Sequence, residues 1–255
     1  MLYKLRIEQD TDLDGLSPRD WDNMGHMVCW HSRYNLGDEQ RRDDVNEWLR
    51  ELACSLDPSL EERLLHWEDG DGWTRLVNQA YKAVATGNPG PLPHVLSENK
   101  VRDLVMAVID KHTVMLPLYL YDHGGITMST GGYSCPWDSG QVGYIYATRD
   151  TILKEFSAKK LTAKLRRQVE DILRSEVKTY AQYLEGDVYG YVIYKIDEPC
   201  DCDPEPWYNY PPCDCTKHAE VVDSCWGFYG SDVALEEGRS ILKYLEDKDK
   251  EKDNV

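Results

Sequence analysis

Phenylalanine is nearly missing from this chain, with 2 in 255 residues, although there are 17 Tyr and 8 Trp. Its aromatic surface is therefore built from rings with a polar tip, which suit half-buried positions where that tip meets water or a partner. Two readings stay open: a Tyr-rich sheet face, or a binding surface. Cations are also short, with 29 Lys and Arg against 46 Asp and Glu, a formal net charge of −17. A phosphate backbone demands a basic footprint, so this balance excludes sequence-independent binding to DNA or RNA. Anionic membranes are excluded on the same ground. No apolar run approaches the ~20 residues of a membrane span. The start, Met1-Leu-Tyr-Lys-Leu-Arg-Ile7, alternates like a strand and lacks the apolar stretch of a signal peptide. The expectation is a protein of the cytoplasm, without internal repeats.

What is present bounds the architecture. A 41% hydrophobic content supports a core that needs no disulfides. Acidic residues gather at Glu8–Asp14, Glu61–Asp71, Asp197–Glu205 and Glu236–Asp253. Such dispersed patches fit a solvated surface, or imitation of nucleic acid towards a basic partner. Tyr3, Leu5 and Ile7 fall on one face of a strand over 3–8. Val45, Trp48, Leu49, Leu52 and Ala53 make a helical stripe, and Asp57-Pro58 reads as an N-cap before a second short helix. Further helices are expected at Trp73–Thr86, after Ser97, at about 161–184 ending on Gly186, and weakly from 233.

Between these helices the period changes. Thr113–Tyr121 reads as a strand in which Pro117 implies an edge or a bulge. Asp122-His-Gly-Gly125 signals a turn into a partner strand, Ile126–Thr130. Strands follow at Gln141–Ala147, Val188–Ile196 (a central strand by its two apolar faces) and Glu220–Trp226. The pattern predicts an α+β fold, an antiparallel sheet packed against several helices, with a Cys-rich loop at the tip of a C-terminal hairpin. A single domain over 1–247 is expected, with a candidate helical lobe at 43–87 and a charged flexible tail at 248–255.

Three constellations carry chemistry. Half of the eight cysteines lie in Cys200-Asp-Cys202 and Cys213-Asp-Cys215, with His218 and Cys225 as spare ligands. Four thiolates brought together by one loop suit a closed structural zinc site; reduced thiols or a redox pair are the alternatives. Cys29 lies between His26 and His31, a pairing that can activate a thiolate or simply be core. In the glycine-rich stretch 122–140, His123, Cys135 and Asp138 can be drawn as a hydrolase-like triad. Yet there is no G-x-S-x-G elbow and no phosphate-cradling G-x-x-x-x-G-K-[ST], and turn formation explains most of these residues.

Several blocks resemble a family of uncharacterised bacteriophage-encoded accessory proteins. They are Trp21–Asp38 (WDNMGHMVCWHSRYNLGD), His123–Ser129 (HGGITMS), Ser134–Tyr146 (SCPWDSGQVGYIY), Tyr183–Tyr191 (YLEGDVYGY) and Asp223–Gly230 (DSCWGFYG). The resemblance transfers no catalytic residue. It implies an accessory protein in the cytoplasm of an infected bacterium. With the acidity, it leads to the expectation of a non-enzymatic binder of a host or phage protein with a basic surface. An inhibitor of a bacterial defence nuclease or effector, of anti-CRISPR or anti-restriction type, is its most concrete form. The rivals are a small hydrolase or nucleotide-processing enzyme using the His/Cys/Asp groups, and a virion or replication component.

Overall fold

A computed structural model of the chain describes residues 2–61, 64, 98–196, 216 and 219–253. In chain order the elements are β1 (Leu2–Gln9), β2 (His26–Cys29), β3 (Glu39–Gln40), α1 (Val45–Leu56), α2 (Glu98–His112), β4 (Thr113–Asp122) and β5 (Ile126–Ser129). There follow β6 (Ser139–Thr148), α3 (Arg149–Glu155), α4 (Ala163–Glu185), β7 (Val188–Ile196), β8 (Glu220–Tyr229) and α5 (Ser231–Asp253). The fold is α+β. One sheet is antiparallel in the order β1-β7-β8; the other has the order β3-β2-β6-β4-β5 and is mixed, since β2 and β3 run parallel. No helix among the described residues is long and apolar enough to cross a membrane.

Contacts divide the chain into two compact units, 1–23 with 117–143 and 171–255, and 24–116 with 144–170. The division falls within β4, β6 and α4.

The first unit contains the three-stranded sheet. β7 is its central strand, paired to β1 from Leu2↔Ile196 to Gln9↔Tyr189 and to β8 on its other side. Alternation sends Leu5, Ile7, Tyr189, Tyr191 and Ile193 to one face, where Ala234, Leu235, Ile241 and Leu242 of α5 pack on them. α5 begins directly after β8 and continues to Asp253. The residues expected as a charged tail from 248 are thus helical up to 253, and Asp249 is buried, accepting the Tyr3 hydroxyl at 2.7 Å. α4 ends where Gly186 takes a positive φ of 70°, with Gly186 N–H donating to Tyr183 and Asp187 N–H to Gln182.

In the second unit α1 packs on α2. Asp44 caps α1 by accepting the Asn46 and Glu47 N–H groups, which frees Trp48, Leu49 and Ala53 to be buried. They meet Val105, Val108 and Ile109 of α2, together with Leu60, Leu64 and Val28. Asp57 closes α1 and then accepts from Ser59 N–H and Oγ, so the second short helix starts where expected, with residues 59–61 helical. The expected helix at Trp73–Thr86 and Ser97, after which the next helix is expected, lie outside the described residues.

Pro117 stands within β4, between β6 and β5, but pairing with β5 begins only at Tyr119. Its missing N–H therefore costs no bond to β5.

Candidate functional site

The turn that follows β5 is the part of the first unit with the most unusual surface. Trp137 is 93% exposed, whereas Trp21 and Trp226 are 55% and 44% exposed. An indole left almost wholly in water contributes little to holding the fold together, and its face is open to a partner.

Local chemistry places that ring. The β4–β5 hairpin closes with Asp122↔Ile126 paired, and His123 N–H donates to the Gly125 carbonyl at 3.1 Å. Residues 130–138 then return to the hairpin end, where Asp122 N–H donates to the Asp138 carbonyl at 2.8 Å. Pro136 fixes φ ahead of Trp137. Two bonds brace the turn around it: Cys135 Sγ donates to Asp138 Oδ2 at 3.3 Å, and Ser139 Oγ donates to the Cys135 carbonyl at 2.5 Å. His123 Nδ1 lies 3.4 Å from the same Asp138 Oδ2. A tyrosine pair stands beside the turn, Tyr121 and Tyr133, with ring centroids 5.4 Å apart, and Tyr121 also faces His123 at 6.2 Å. Burial pushes the Tyr133 hydroxyl above its ordinary pKa against the opposing Thr127 hydrogen bond, and the charge of Glu185 adds to the rise.

The structure thus brings His123, Cys135 and Asp138 together, but in an order unlike that of a nucleophile triad. Activation of a thiol needs the imidazole between thiol and carboxylate. Here both contacts converge on one oxygen of Asp138, and the carboxylate is the middle member. That arrangement holds a turn in shape; it does not relay a proton from sulfur to nitrogen.

His26, Cys29 and His31, in the second unit, point to three different environments. Cys29 is fully buried, as are Met27 and Val28. β2 is therefore covered on both faces and does not alternate between core and solvent. The His26 ring is half exposed between Asp38 Oδ2 at 3.5 Å and Glu39 Oε2 at 3.3 Å, with Tyr146 edge-on at 5.7 Å. His31 lies beyond the strand, where its Nδ1 accepts the Arg33 and Tyr34 N–H groups and its ring stacks on Tyr34. Nearby, the Arg41 guanidinium beside Asp43 holds that carboxyl well below the usual range, at about 2, and also reaches Glu39 and Glu51.

The candidate zinc ligands Cys200, Cys202, Cys213 and Cys215, with the spare His218, lie outside the described residues. Cys225, the other spare, is exposed on β8. Among the described residues, no three His, Cys, Asp or Glu side chains converge as metal ligands. A cavity of about 650 Å³ opens between α1 and α2, with Arg50 and Arg102 at its rim and Leu49 and Val105 in its wall.

The sequence offers the residues that brace the turn as a triad, and Trp137 only as part of the block Cys-Pro-Trp-Asp-Ser-Gly, whose glycine and aromatic content suits a rigid binding surface. The signal for Trp137 is local: a tryptophan inside Cys-Pro-Trp-Asp-Ser sits between a proline and a turn-forming acid. Compared with family models, curated proteins and solved structures, the chain matches none of them.

Proposed function

We propose that this chain is a phage-encoded accessory protein that acts by binding another protein, most concretely as an inhibitor of a bacterial defence nuclease or effector. The observation that carries the binding reading is Trp137, 93% exposed on a turn braced by Cys135, Asp138 and Ser139. Interface energy concentrates in a few residues, among which Trp is enriched, and a turn already braced gives up little backbone freedom on docking. The net charge of −17 supports a partner with a basic surface and a salt-sensitive encounter. The phage assignment rests on the sequence blocks quoted above. The hydrolase alternative draws no support from the turn, because its carboxylate occupies the place an imidazole would need.

The test is capture of partners from infected bacteria by the full chain and by its Trp137→Ala variant. Truncating a central anchor costs about 2 kcal/mol or more, so the variant should hold its partner roughly 30-fold more weakly. Equal capture by the two proteins would overturn the binding site. If capture is equal at low and high salt, and survives charge reversal on the chain, the nucleic-acid-mimic form is wrong.

A further inference from the structure

The turn's surroundings restrict what can sit on Trp137. No lysine or arginine occurs between Lys111 and Arg149, a stretch that holds Tyr119, Tyr121, Tyr133, Trp137, Asp122 and Asp138. Tyr133, whose ring lies beside Tyr121, senses the charge of Glu185 as well. The flanking Gly124, Gly125 and Gly140 have open space where a Cβ would stand, so the rim of the turn is low and a partner backbone can come close. Asp138 is one-third exposed and uses only Oδ2 inside the turn; among the described residues, nothing bonds its Oδ1. An exposed indole and a carboxylate oxygen with bonding capacity to spare are neighbours in a stretch without lysine or arginine, where the His123 imidazole lies against Asp138 Oδ2.

Resting on the protein-binding reading above, we infer that the Trp137 turn is the receptor for an arginine or lysine side chain of the partner. The cation lies on the indole face, and its N–H groups donate to Asp138 Oδ1. Both halves are favourable for the same ion: the ring quadrupole attracts a cation, Trp most strongly, and a charge-assisted bond to a carboxylate fixes its direction. An apolar anchor from the partner would gain the ring contact but would leave the Asp138 oxygen uncovered by any donor. A phosphate or a nucleic acid strand would meet the Asp138 carboxylate in a stretch with no lysine or arginine to offset it.

The probe is a peptide with a single arginine in a glycine-serine frame, titrated at physiological salt into the full chain labelled with nitrogen-15. A single charge is used because a polyarginine would coat an acidic protein everywhere. The eight indole N–H signals report separately, and Trp137→Ala identifies the relevant one. The expected result is a saturable shift of the Trp137 indole, larger than that of the other seven. The same peptide with neutral citrulline should bind about tenfold more weakly, and Trp137→Leu should lose a similar factor. Gly125→Lys, which sets a cation beside the turn where there is room for it, should also weaken binding. Three outcomes would overturn the inference: all indoles moving alike, citrulline binding as well as arginine, or no shift at Trp137. These outcomes leave the broader reading intact if the full chain still captures a partner through Trp137. The broader reading fails when Trp137→Ala changes no capture at all.

Discussion

Replacing Gly190 by alanine tests how the edge strand β8 is seated. A Cβ at this position would lie 2.4 Å from Cδ2 and Cε3 of Trp226 and 2.8 Å from the Cys225 carbonyl oxygen. Pairing here is irregular: Tyr189 faces Phe228 and Tyr191 faces Cys225, so Gly190 confronts both Trp226 and Gly227. The indole lies against the glycine and must be displaced if a methyl group arrives. Trp226 is 44% exposed, so a little over half of the ~250 Å² that an indole can bury is at stake. At ~25 cal/mol/Å² this is at most about 3.5 kcal/mol, offset by roughly 0.5–1 kcal/mol for alanine over glycine in a strand. Gly190→Ala should therefore cost about 2–3 kcal/mol in urea unfolding, with a changed near-ultraviolet circular dichroism signal from the displaced ring. Gly124→Ala, in the same unit, is the control. Its φ of 73° is left-handed and its Cβ would meet nothing within 4 Å, so it should cost about 1–2 kcal/mol with the aromatic signal unchanged. On a Trp226→Ala background the Gly190→Ala cost should shrink, since the overlapping ring is gone. If Gly190→Ala unfolds within 0.5 kcal/mol (about the scale of ordinary surface substitutions) of the parent and its aromatic signal is unmoved, the seating of Trp226 is refuted.

Two further outcomes follow from the caps and the pH-sensitive pairs. The Tyr3 hydroxyl, donating to Asp249, is pushed up to about 12, first by that hydrogen bond and then by burial and the charge of Asp249. The folded state thus holds the proton more tightly than the unfolded chain. The stability involved is fully present below about pH 10 and is lost as pH rises towards 12. Tyr3→Phe should flatten this alkaline loss in unfolding curves recorded between those values. Asp44→Ala removes the acceptor for Asn46 and Glu47 N–H and should lower the stability of the second unit by about 1 kcal/mol, read by thermal unfolding, whereas Asp44→Ser should restore most of it.

Legibility in the sequence followed the range of the forces involved. Local forces wrote plainly. Asp57 accepts the Ser59 N–H ahead of the second short helix, Gly186 ends α4, and the two glycines after His123 form the hairpin turn that their type predicts. The two apolar faces of Val188–Ile196 placed β7 at the centre of its sheet, because only a strand covered on both sides can afford them. What depends on distant partners was hidden. The charged end of α5 reads as a solvated tail because nothing within it announces that Asp249 will meet Tyr3 from the other end of the chain. Cys29 lies between His26 and His31 in the sequence, but β2 ends at Cys29 and the His31 ring accepts the Arg33 and Tyr34 N–H groups. The site divides in the same way. The spacing of His123, Cys135 and Asp138 shows that a hairpin and its return loop can bring them together, but not which group stands in the middle. That order depends on the Asp122–Asp138 backbone bond, which draws the Asp138 carboxylate to the hairpin end. With the carboxylate central, the three residues are a brace, and the chemistry of the turn moves outward to the ring it presents. On the protein-binding proposal, Trp137, at 93% exposure, stands where a docking group must stand before its partner arrives.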